Sequence, residues 1–525
     1  MAVGLFYGML LIGVTAGAGL FIYNRNLDFA ERCLFGLCPI IVPLCICGLV
    51  NKLCEIPFFY WSDPRLATLF AWWNGYPLYP GAGEAVNSNN YGPLAALVYF
   101  PATLAHSPTM AFMLSGAVAI ILTCGPAIWL ALRGGNGQRG AYVFNMLLVC
   151  IFIEFAFNND ALAYSMFNIH ADAPALGFGA MACGILLDYS ESNQRGVFLL
   201  TALFAAMSVW SKQSQAPLFV ALPLFVLITR GWRTTLVFAA CLLGVGLIVS
   251  AAMVLSFRPF SGLYFYMFVS LARVPWTIPS FAESMAIMLR ILTLSLFPLL
   301  ACATVLIPGF FHPAGARSIR RFVASNGWLL FVLLALLNLP MTYFSLLKIG
   351  VDVNNVSLVV YFLALGALLA IKQTLQSVDY ENFRLGLKIG LVVFCVDCCS
   401  IQFRNSYLSF TRALSIWRNP SQLFFEYTKA HPGELYCPRS PLVSLLAEGR
   451  VYHFENGVDD RALVRMPMTE SEFRKNVPTS IKYIAYPLSG RHTTLKFMPE
   501  FSEYITLPAL PNCEVYKRGQ PSNNP

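Results

Sequence analysis

The chain has 525 residues, of which 57% are hydrophobic and 12% are charged, and its mean hydropathy is +0.63. Soluble domains carry charges on about a quarter of their residues, so this chain has roughly half the usual charge content. The composition therefore predicts a polytopic membrane protein and excludes cytosolic enzymes, nucleic-acid-binding proteins and disordered scaffolds. The net charge of +9 is spread over short loops and the C-terminal tail, which indicates membrane topology rather than a nucleic-acid partner.

Twelve segments have the apolar composition expected of membrane helices, which need about 20 residues to cross a bilayer. They lie near residues 2–23, 34–54, 109–132, 142–158, 173–188, 197–211, 216–231, 234–257, 284–309, 328–347, 356–372 and 387–403. Lysine and arginine are concentrated in alternate loops, and the positive-inside rule assigns those loops to the cytoplasm. Both termini are then expected on the outer side of the membrane.

Three substantial segments are predicted on that outer side: a loop over residues 55–108, an aromatic-rich stretch over 258–283, and a polar tail over 404–525. The tail alternates short apolar runs with Pro, Gly and Asn turns, which predicts a small α/β or mainly β domain. We therefore expect a membrane domain, 1–403, followed by an extracytoplasmic domain, 404–525. The tail also contains Cys437 and Cys513, and the sequence leaves open whether they form a disulfide.

The first outer loop contains an acid and a base among many aromatic residues. Asp63 is two residues from Arg65, and the loop ends in Tyr91-Gly-Pro93. An aspartate held in such surroundings is suited to accept a hydroxyl proton beside an anionic group. An aromatic belt with a surface ion pair at the membrane interface explains the same residues equally well.

The second polar motif is His170-Ala-Asp172-Ala-Pro174, at the outer end of a predicted helix. A histidine and an aspartate two residues apart suit a divalent cation or the orientation of an acceptor. A helix cap at Asp172 with Pro174 in the first turn explains the same pattern. Because two ligands do not make a metal site, the local pattern favours the cap.

Further polar residues lie in other predicted outer connections. They are Lys212 and Gln213, Arg258, and the run Lys348-Ile-Gly350-Val-Asp352-Val-Asn354. Basic residues on the outer side break the positive-inside trend, which indicates a local anionic partner such as a lipid phosphate. Lysines that extend to lipid headgroups and an ordinary loop are the alternatives.

Together these motifs resemble the GT-C superfamily of polyprenyl-phosphate-sugar-dependent glycosyltransferases, and in particular the bacterial branch related to protein O-mannosyltransferases and the lipid A aminoarabinose transferase. In the tail, Ser440-Pro441-Leu442 and Tyr452-His453 look like the small extracytoplasmic domain of that branch. The chain departs from the mannosyltransferase pattern where Pro64 follows Asp63, because a second acid often stands there. Asp63 is then the sole obvious base of the loop.

The resemblance implies a GT-C-like fold of about 12 transmembrane helices with a small extracytoplasmic α/β domain. It also implies an inverting transfer from a polyprenyl-phosphate-linked sugar to a hydroxyl of a glycan, lipid or protein, at the periplasmic face of a bacterial inner membrane. In this scheme Asp63 is the catalytic base, and Arg65, Lys212 and Lys348 neutralise the departing phosphate.

The resemblance also implies that His170 and Asp172 position the acceptor or a divalent cation. The remaining residues assigned to substrate binding are Tyr91, Gln213, Arg258, Asp352 and Asn354. A cofactor other than that cation is not implied.

Two other functions remain open from the sequence. A transporter or flippase of lipid-linked glycan suits twelve spans, but the two halves of the chain show no paired repeats. A ligase or polymerase would also use a lipid-linked sugar, but with a diphosphate donor, and that class relies on basic and histidine residues in a large late loop. Neither alternative explains the early acidic loop as well as a monophosphate-dependent transferase does.

Overall fold

The computed structural model of the protein describes residues 2–23, 27–81, 83–87, 89–133, 139–189, 194–311, 319–349, 352–376, 385–397, 413, 415–487 and 492–519. A helical domain occupies these ranges up to residue 397, and a small domain with a mixed sheet follows from residue 415. The predicted boundary between residues 403 and 404 lies outside the described residues.

The helices of the first domain follow one another in chain order. They are α1 (Ala2–Tyr23), α2 (Phe29–Glu55), α3 (Ser62–Trp73), α4 (Leu94–Leu97), α5 (Pro108–Leu132), α6 (Arg139–Asn158), α7 (Asp160–Met166), α8 (Asp172–Leu186), α9 (Gln194–Ser211), α10 (Leu218–Arg230), α11 (Trp232–Ser256), α12 (Phe260–Tyr264), α13 (Leu271–Arg273), α14 (Phe281–Phe311), α15 (Ile319–Ser325), α16 (Leu329–Leu346), α17 (Ser357–Gln376) and α18 (385–397). Each of the twelve predicted membrane segments coincides with one of these helices, and residues 398–403 of the last segment are not described.

By length and composition, six helices among the described residues can cross a membrane. They are Phe29–Phe58, Pro108–Leu132, Trp232–Ser256, Phe281–Leu306, Leu329–Leu346 and Val353–Gln376. A seventh span results if Val143–Asn158 and Asp160–Met166, which meet at 103°, are counted together. The break occurs because the Asn159 side chain accepts a hydrogen bond from the Leu162 backbone and so starts a new helix.

The core of the helical domain is built around α8 and α17. Helix α8 packs against α5 and α9, and α17 packs against α14 and α16. Most side chains of α8 and α17 are buried, which explains why both segments are apolar all round. At Gly177 the backbone of α8 approaches α5 so closely that a Cβ would lie 2.2 Å from the carbonyl oxygen of Leu122.

In the part of the C-terminal domain that the structure describes, there are four α-helices and one four-stranded sheet. The elements are α19 (Pro420–Ala430), β1 (Leu435–Tyr436), α20 (Leu442–Glu448), α21 (Glu455–Leu463), α22 (Glu470–Arg474), β2 (Tyr483–Pro487), β3 (Glu503–Ile505) and β4 (Cys513–Lys517). The strand order is β1-β2-β4-β3; β1 is parallel to β2, and the other pairs are antiparallel. The α/β architecture expected for the tail is therefore present. Cys437 and Cys513 are buried in one apolar cluster as free thiols.

The C-terminal domain is attached to the first outer loop by backbone contacts. The Phe454 backbone donates to the Val86 carbonyl at 2.9 Å, and the Val86 backbone donates to Nδ1 of His453 at 3.0 Å. The backbone of Gly457 packs directly against that of Asn87. A Cβ at position 457 would lie only 2.3 Å from the Asn87 carbonyl oxygen. Loop 55–108 is thus held between the helical domain and the C-terminal domain.

We expect Gly457→Ala to weaken this attachment. The added methyl group collides with backbone atoms that cannot move independently, so the free energy of unfolding should fall by about 1–3 kcal/mol. Thermal unfolding and limited proteolysis of the purified protein measure the effect. Gly519→Ala is the matched control, because a Cβ there meets its nearest neighbour at an ordinary 3.6 Å. Equal behaviour of the two variants would contradict close packing at Gly457.

Candidate functional site

A buried carboxylate at the start of α8 organises the polar end of the helical domain. Asp172 has no solvent exposure, and its oxygens accept hydrogen bonds from Lys212 Nζ at 2.5 Å, Asn354 Nδ2 at 2.9 Å and Ser165 Oγ at 3.2 Å. These three partners come from separate parts of the chain. A buried charge is tolerated only when it is paired and hydrogen-bonded, and this arrangement meets both requirements.

His170 connects this carboxylate to a pocket. Its Nδ1 lies 2.5 Å from a carboxylate oxygen of Asp172, and its Nε2 lies 3.3 Å from the hydroxyl oxygen of Tyr91. The Asp172 backbone N–H also points at Nδ1, at 3.2 Å. The carboxylate contact is much shorter and a carboxylate only accepts hydrogen bonds, so we assign the proton to Nδ1, which leaves Nε2 as the acceptor. The hydroxyl of Tyr99 holds the histidine backbone from both sides, at 2.7 Å from its carbonyl oxygen and 3.1 Å from its nitrogen.

Burial lowers the pKa of His170 to about 4, and the positive charge of Arg65 acts in the same direction. The imidazole is therefore neutral at pH 7. A neutral imidazole with an accepting Nε2 is suited to receive a proton from a hydroxyl group placed in the pocket.

Arg65 supplies the positive charge of the pocket. Its guanidinium lies 5.3 Å from the ring centroid of Trp61 and 5.6 Å from that of Tyr164. It donates hydrogen bonds to the Ile169 carbonyl at 3.2 Å and to the Tyr164 hydroxyl at 3.0 Å. No carboxylate within the described ranges pairs with this guanidinium, so its charge is available to an anionic ligand.

The pocket has a cavity volume of about 20 Å³. Its polar lining consists of Arg65, Thr68, Asn89, Tyr91, Tyr99 and His170, and alanines 95, 96 and 171 supply much of the remainder. In this conformation the space beside the polar groups holds about one water molecule, so a larger ligand must displace part of the wall. An arginine and a neutral histidine on one pocket suit an anionic group and a hydroxyl group bound side by side.

Lys212 has a different role from the one expected. Its ammonium group binds Asp172 and also donates to Oδ1 of Asn355 at 3.2 Å. The side chain is almost completely buried, and Asp172 balances its charge. The structure therefore brings Lys212 to the site, but as the partner of a buried carboxylate rather than as a free cation.

Asp63 lies at the contact between the first outer loop and the C-terminal domain. It is 4% exposed and accepts hydrogen bonds from Ser421 Oγ at 2.7 Å and from the Leu442 backbone at 2.8 Å. Burial raises the pKa of this carboxyl group to about 7. Asp63 and Arg65 are two residues apart on α3, which places them about 200° apart around the helix. Asp63 does not line the pocket. If it is the base, as predicted, its carboxylate must first lose its hydrogen bonds to Ser421 and Leu442.

The other predicted residues are divided between the site and its surroundings. Asn354 contacts Asp172 directly, whereas Gln213 donates to the Met267 carbonyl at 3.1 Å outside the pocket. Lys348 donates to the Leu271 carbonyl at 2.7 Å, and Asp352 accepts from the Val353 backbone at 2.6 Å. Arg258 is exposed and does not line the pocket. Gly350 lies outside the described residues.

Sequence reasoning missed several residues that complete the site. They are Tyr99, Tyr164, Ser165 and Asn355. Spacing carries no signal for them, because each belongs to a different segment and reaches the site through the fold. Among the described residues, no group of three or more His, Cys, Asp or Glu side chains is arranged to hold a metal ion.

No family model and no curated protein sequence matches the chain. Among solved structures, the chain is similar to the crystal structure of ArnT from Cupriavidus metallidurans in the apo state, at 12% sequence identity with a TM-score of 0.54. The match covers 92% of this chain and 99% of that chain. The fold expected from the sequence, a polytopic helical domain with a small C-terminal sheet domain, is confirmed.

We expect Lys212→Met to destabilise the protein strongly. The variant leaves the Asp172 carboxylate buried without its cation, which should lower the free energy of unfolding by about 3 kcal/mol. The double variant Lys212→Met/Asp172→Asn should regain part of that loss, because no unpaired charge remains. Thermal unfolding of the purified protein in detergent measures both.

Lys348→Met is the matched control for this prediction. The Lys348 ammonium group binds a backbone carbonyl at a partly exposed position, so its loss should cost about 1 kcal/mol. If Lys212→Met were no worse than Lys348→Met, the Asp172–Lys212 pair would not be a principal stabilising contact.

Proposed function

We propose that this protein is an integral-membrane glycosyltransferase that moves a sugar from a polyprenyl-phosphate carrier to an acceptor hydroxyl, with inversion at the anomeric carbon. The pocket that joins Arg65 to the neutral His170 is the observation that carries the proposal. The fold supports it as well, because the similarity to ArnT agrees with the resemblance of the sequence motifs to the lipid A aminoarabinose transferase branch. We place the reaction at the periplasmic face of a bacterial inner membrane.

Arg65 is suited to bind the phosphate of the donor. In the transition state the bond between the anomeric carbon and the phosphate oxygen breaks, and the departing phosphate takes the electron pair. A planar guanidinium forms paired hydrogen bonds with phosphate oxygens, and its charge stabilises the developing negative charge. The rings of Trp61 and Tyr164 hold the group in place before the donor arrives.

His170 is suited to take the proton of the acceptor hydroxyl as its oxygen attacks the anomeric carbon. Its Nε2 already accepts a hydrogen bond from Tyr91, so an acceptor hydroxyl that displaces this contact meets a correctly oriented lone pair. Asp172 fixes the ring through Nδ1 and stabilises the imidazolium that forms. Lys212 and Asn354 in turn hold Asp172.

Asp63 remains the base predicted from the sequence, and its pKa of about 7 suits that role. For this assignment the C-terminal domain must first release the carboxylate. His170 already lines the pocket and needs no movement of the C-terminal domain, so the conformation described above favours it. We propose that Lys348, Asp352, Gln213 and Arg258 act on parts of the substrate beyond the pocket.

We expect purified protein to transfer label from a panel of radiolabelled polyprenyl-phosphate sugars to total cell-envelope acceptor. Arg65→Gln should lower kcat/KM at least 100-fold, because the departing phosphate loses its cation. Arg195→Gln is the matched control and should retain nearly full activity, since this exposed arginine lies at the start of α9, the end of that helix away from the pocket. Transfer from diphosphate-linked donors alone would favour a ligase or polymerase. If the protein binds a lipid-linked sugar but transfers label from no donor in the panel, the result would favour a transporter.

We expect the pH dependence of kcat/KM to identify the base. A base works only when it is unprotonated, so activity falls as the pH drops below its pKa. With His170 as the base the profile should stay flat from about pH 8 to pH 5 and decline near pH 4. With Asp63 as the base it should already decline below pH 7.

The variants His170→Gln and Asp63→Asn complete this test. The His170 variant should lose about 100-fold or more in kcat, the range expected for a general base, whereas the Asp63 variant should keep the position of the wild-type acid limb. A large loss of kcat in Asp63→Asn, together with an acid limb near pH 7 in the wild type, would return the base to Asp63.

A further inference from the structure

A second, larger cavity lies at the other end of the helices that carry the site. Helix α8 begins at Asp172 in the site and ends at Leu186 in this cavity, a separation of about 20 Å along the helix. The cavity has a volume of about 230 Å³. Leu186, Leu187, Phe198, Phe225, Val226 and Ala324 form its apolar side, and polar atoms make up slightly more than half of its exposed lining, with side-chain polar groups from Tyr189, Thr229 and Arg230. None of these residues belongs to the pocket with Arg65 and His170.

Aromatic rings that contact one another in series form one side of the cavity, and the guanidinium of Arg230 lies over the last ring of the series. Phe238 contacts Phe198 at 4.9 Å between ring centroids, Phe198 stacks on Tyr189 at 5.5 Å, and Arg230 lies 4.5 Å above the Tyr189 ring. Stacking occupies the face of the guanidinium and leaves the N–H donors at its edge free to bind a ligand. Edge-on donors are the geometry that binds a phosphate in a bidentate manner.

A second arginine neutralises the helix end beside this group. The Nε of Arg320 donates to the Thr229 carbonyl at 3.1 Å, close to the end of α10. The last carbonyl groups of a helix carry partial negative charge and would otherwise repel an anion. With that carbonyl capped, Arg230 is the one charged side chain among the described residues that line the cavity.

The surroundings of the mouth indicate the level of lipid headgroups. Trp232 lies two residues after Arg230 and is 61% exposed. The guanidinium of Arg233 lies over its ring, 5.5 Å from the ring centroid. Leu236 on the next turn of α11 is 60% exposed, as expected of a lipid-facing residue. Exposed tryptophan and arginine next to exposed leucine are typical of the membrane interface.

We propose that this cavity binds an anionic phospholipid, with its phosphate on Arg230 and one acyl chain along the wall formed by Leu186, Leu187 and Phe225. The apolar wall selects a lipid over a free anion, and the stacked guanidinium selects a headgroup with net negative charge over a zwitterionic one. The site goes beyond the proposed transferase reaction and does not depend on it.

Native mass spectrometry of the full-length protein, titrated with phosphatidylglycerol or phosphatidylcholine in detergent, tests the proposal. We expect phosphatidylglycerol to remain bound and Arg230→Gln to weaken it about tenfold, the effect of losing one charge-assisted contact. Arg233→Gln is the matched control, because it removes a nearby arginine that does not line the cavity, and it should change binding less than twofold.

Three results would overturn the proposal. They are unchanged binding in Arg230→Gln, an equal loss in Arg233→Gln, and displacement of phosphatidylglycerol by excess inorganic phosphate, since the last would mean that the apolar wall contributes nothing. The elution volume in size-exclusion chromatography and the thermal unfolding curve show whether each variant is folded. If Arg230→Gln does not fold, Arg230→Lys replaces it. That variant keeps the charge but not the planar donors, and an intermediate loss of binding is then expected.

Discussion

The buried ion pair between Asp172 and Lys212 is the interaction on which the rest of the polar end depends. Neither charge is stable inside a helical bundle alone, and each is stable only because the other lies 2.5 Å away. The requirement to pair them brings the start of α8 and the end of α9 together. Asn354 and Ser165 are drawn in by the remaining acceptor positions of the carboxylate. His170 then takes its orientation from the same carboxylate, so the geometry of the pocket follows from a demand for charge compensation.

The first outer loop joins this site to the C-terminal domain through its two faces. On α3, Arg65 faces the pocket, while Asp63 faces Ser421 and Leu442 of the C-terminal domain. Farther along, Asn90 donates to Asp460 at 3.1 Å on the side of the domain. The C-terminal domain therefore contacts two parts of the loop that shapes the pocket, although it contributes none of the residues that line it.

The structure brings Arg65, Tyr91, His170, Asp172, Lys212 and Asn354 together, but their contacts within the site were not predictable from the sequence. The motif at His170 and Asp172 was expected to be a helix cap or an acceptor site, and the fold makes it the centre of a network. Lys212 was expected to face a lipid phosphate, and the fold pairs it with a carboxylate instead. Lys348 and Asp352 shared the same predicted face but bind nearby backbone groups. Membership of one membrane face does not determine which side chains converge, because convergence depends on helix packing.

The sequence by itself determined the class of the protein and the order of its helices, because the apolar content and its segment lengths leave a membrane bundle as the stable arrangement. It also limited the tail to a small α/β or mainly β domain, since its short apolar runs and turn residues suit no long helix, and the structure shows that it is α/β. Only the tertiary structure decided which charge is free. Arg65 is available, Lys212 is neutralised and Asp63 is covered, and each outcome depends on a partner between 40 and about 380 residues away along the chain. Such distant partners leave no periodic signal in a sequence, because they are selected by packing and by the free energy of burying a charge.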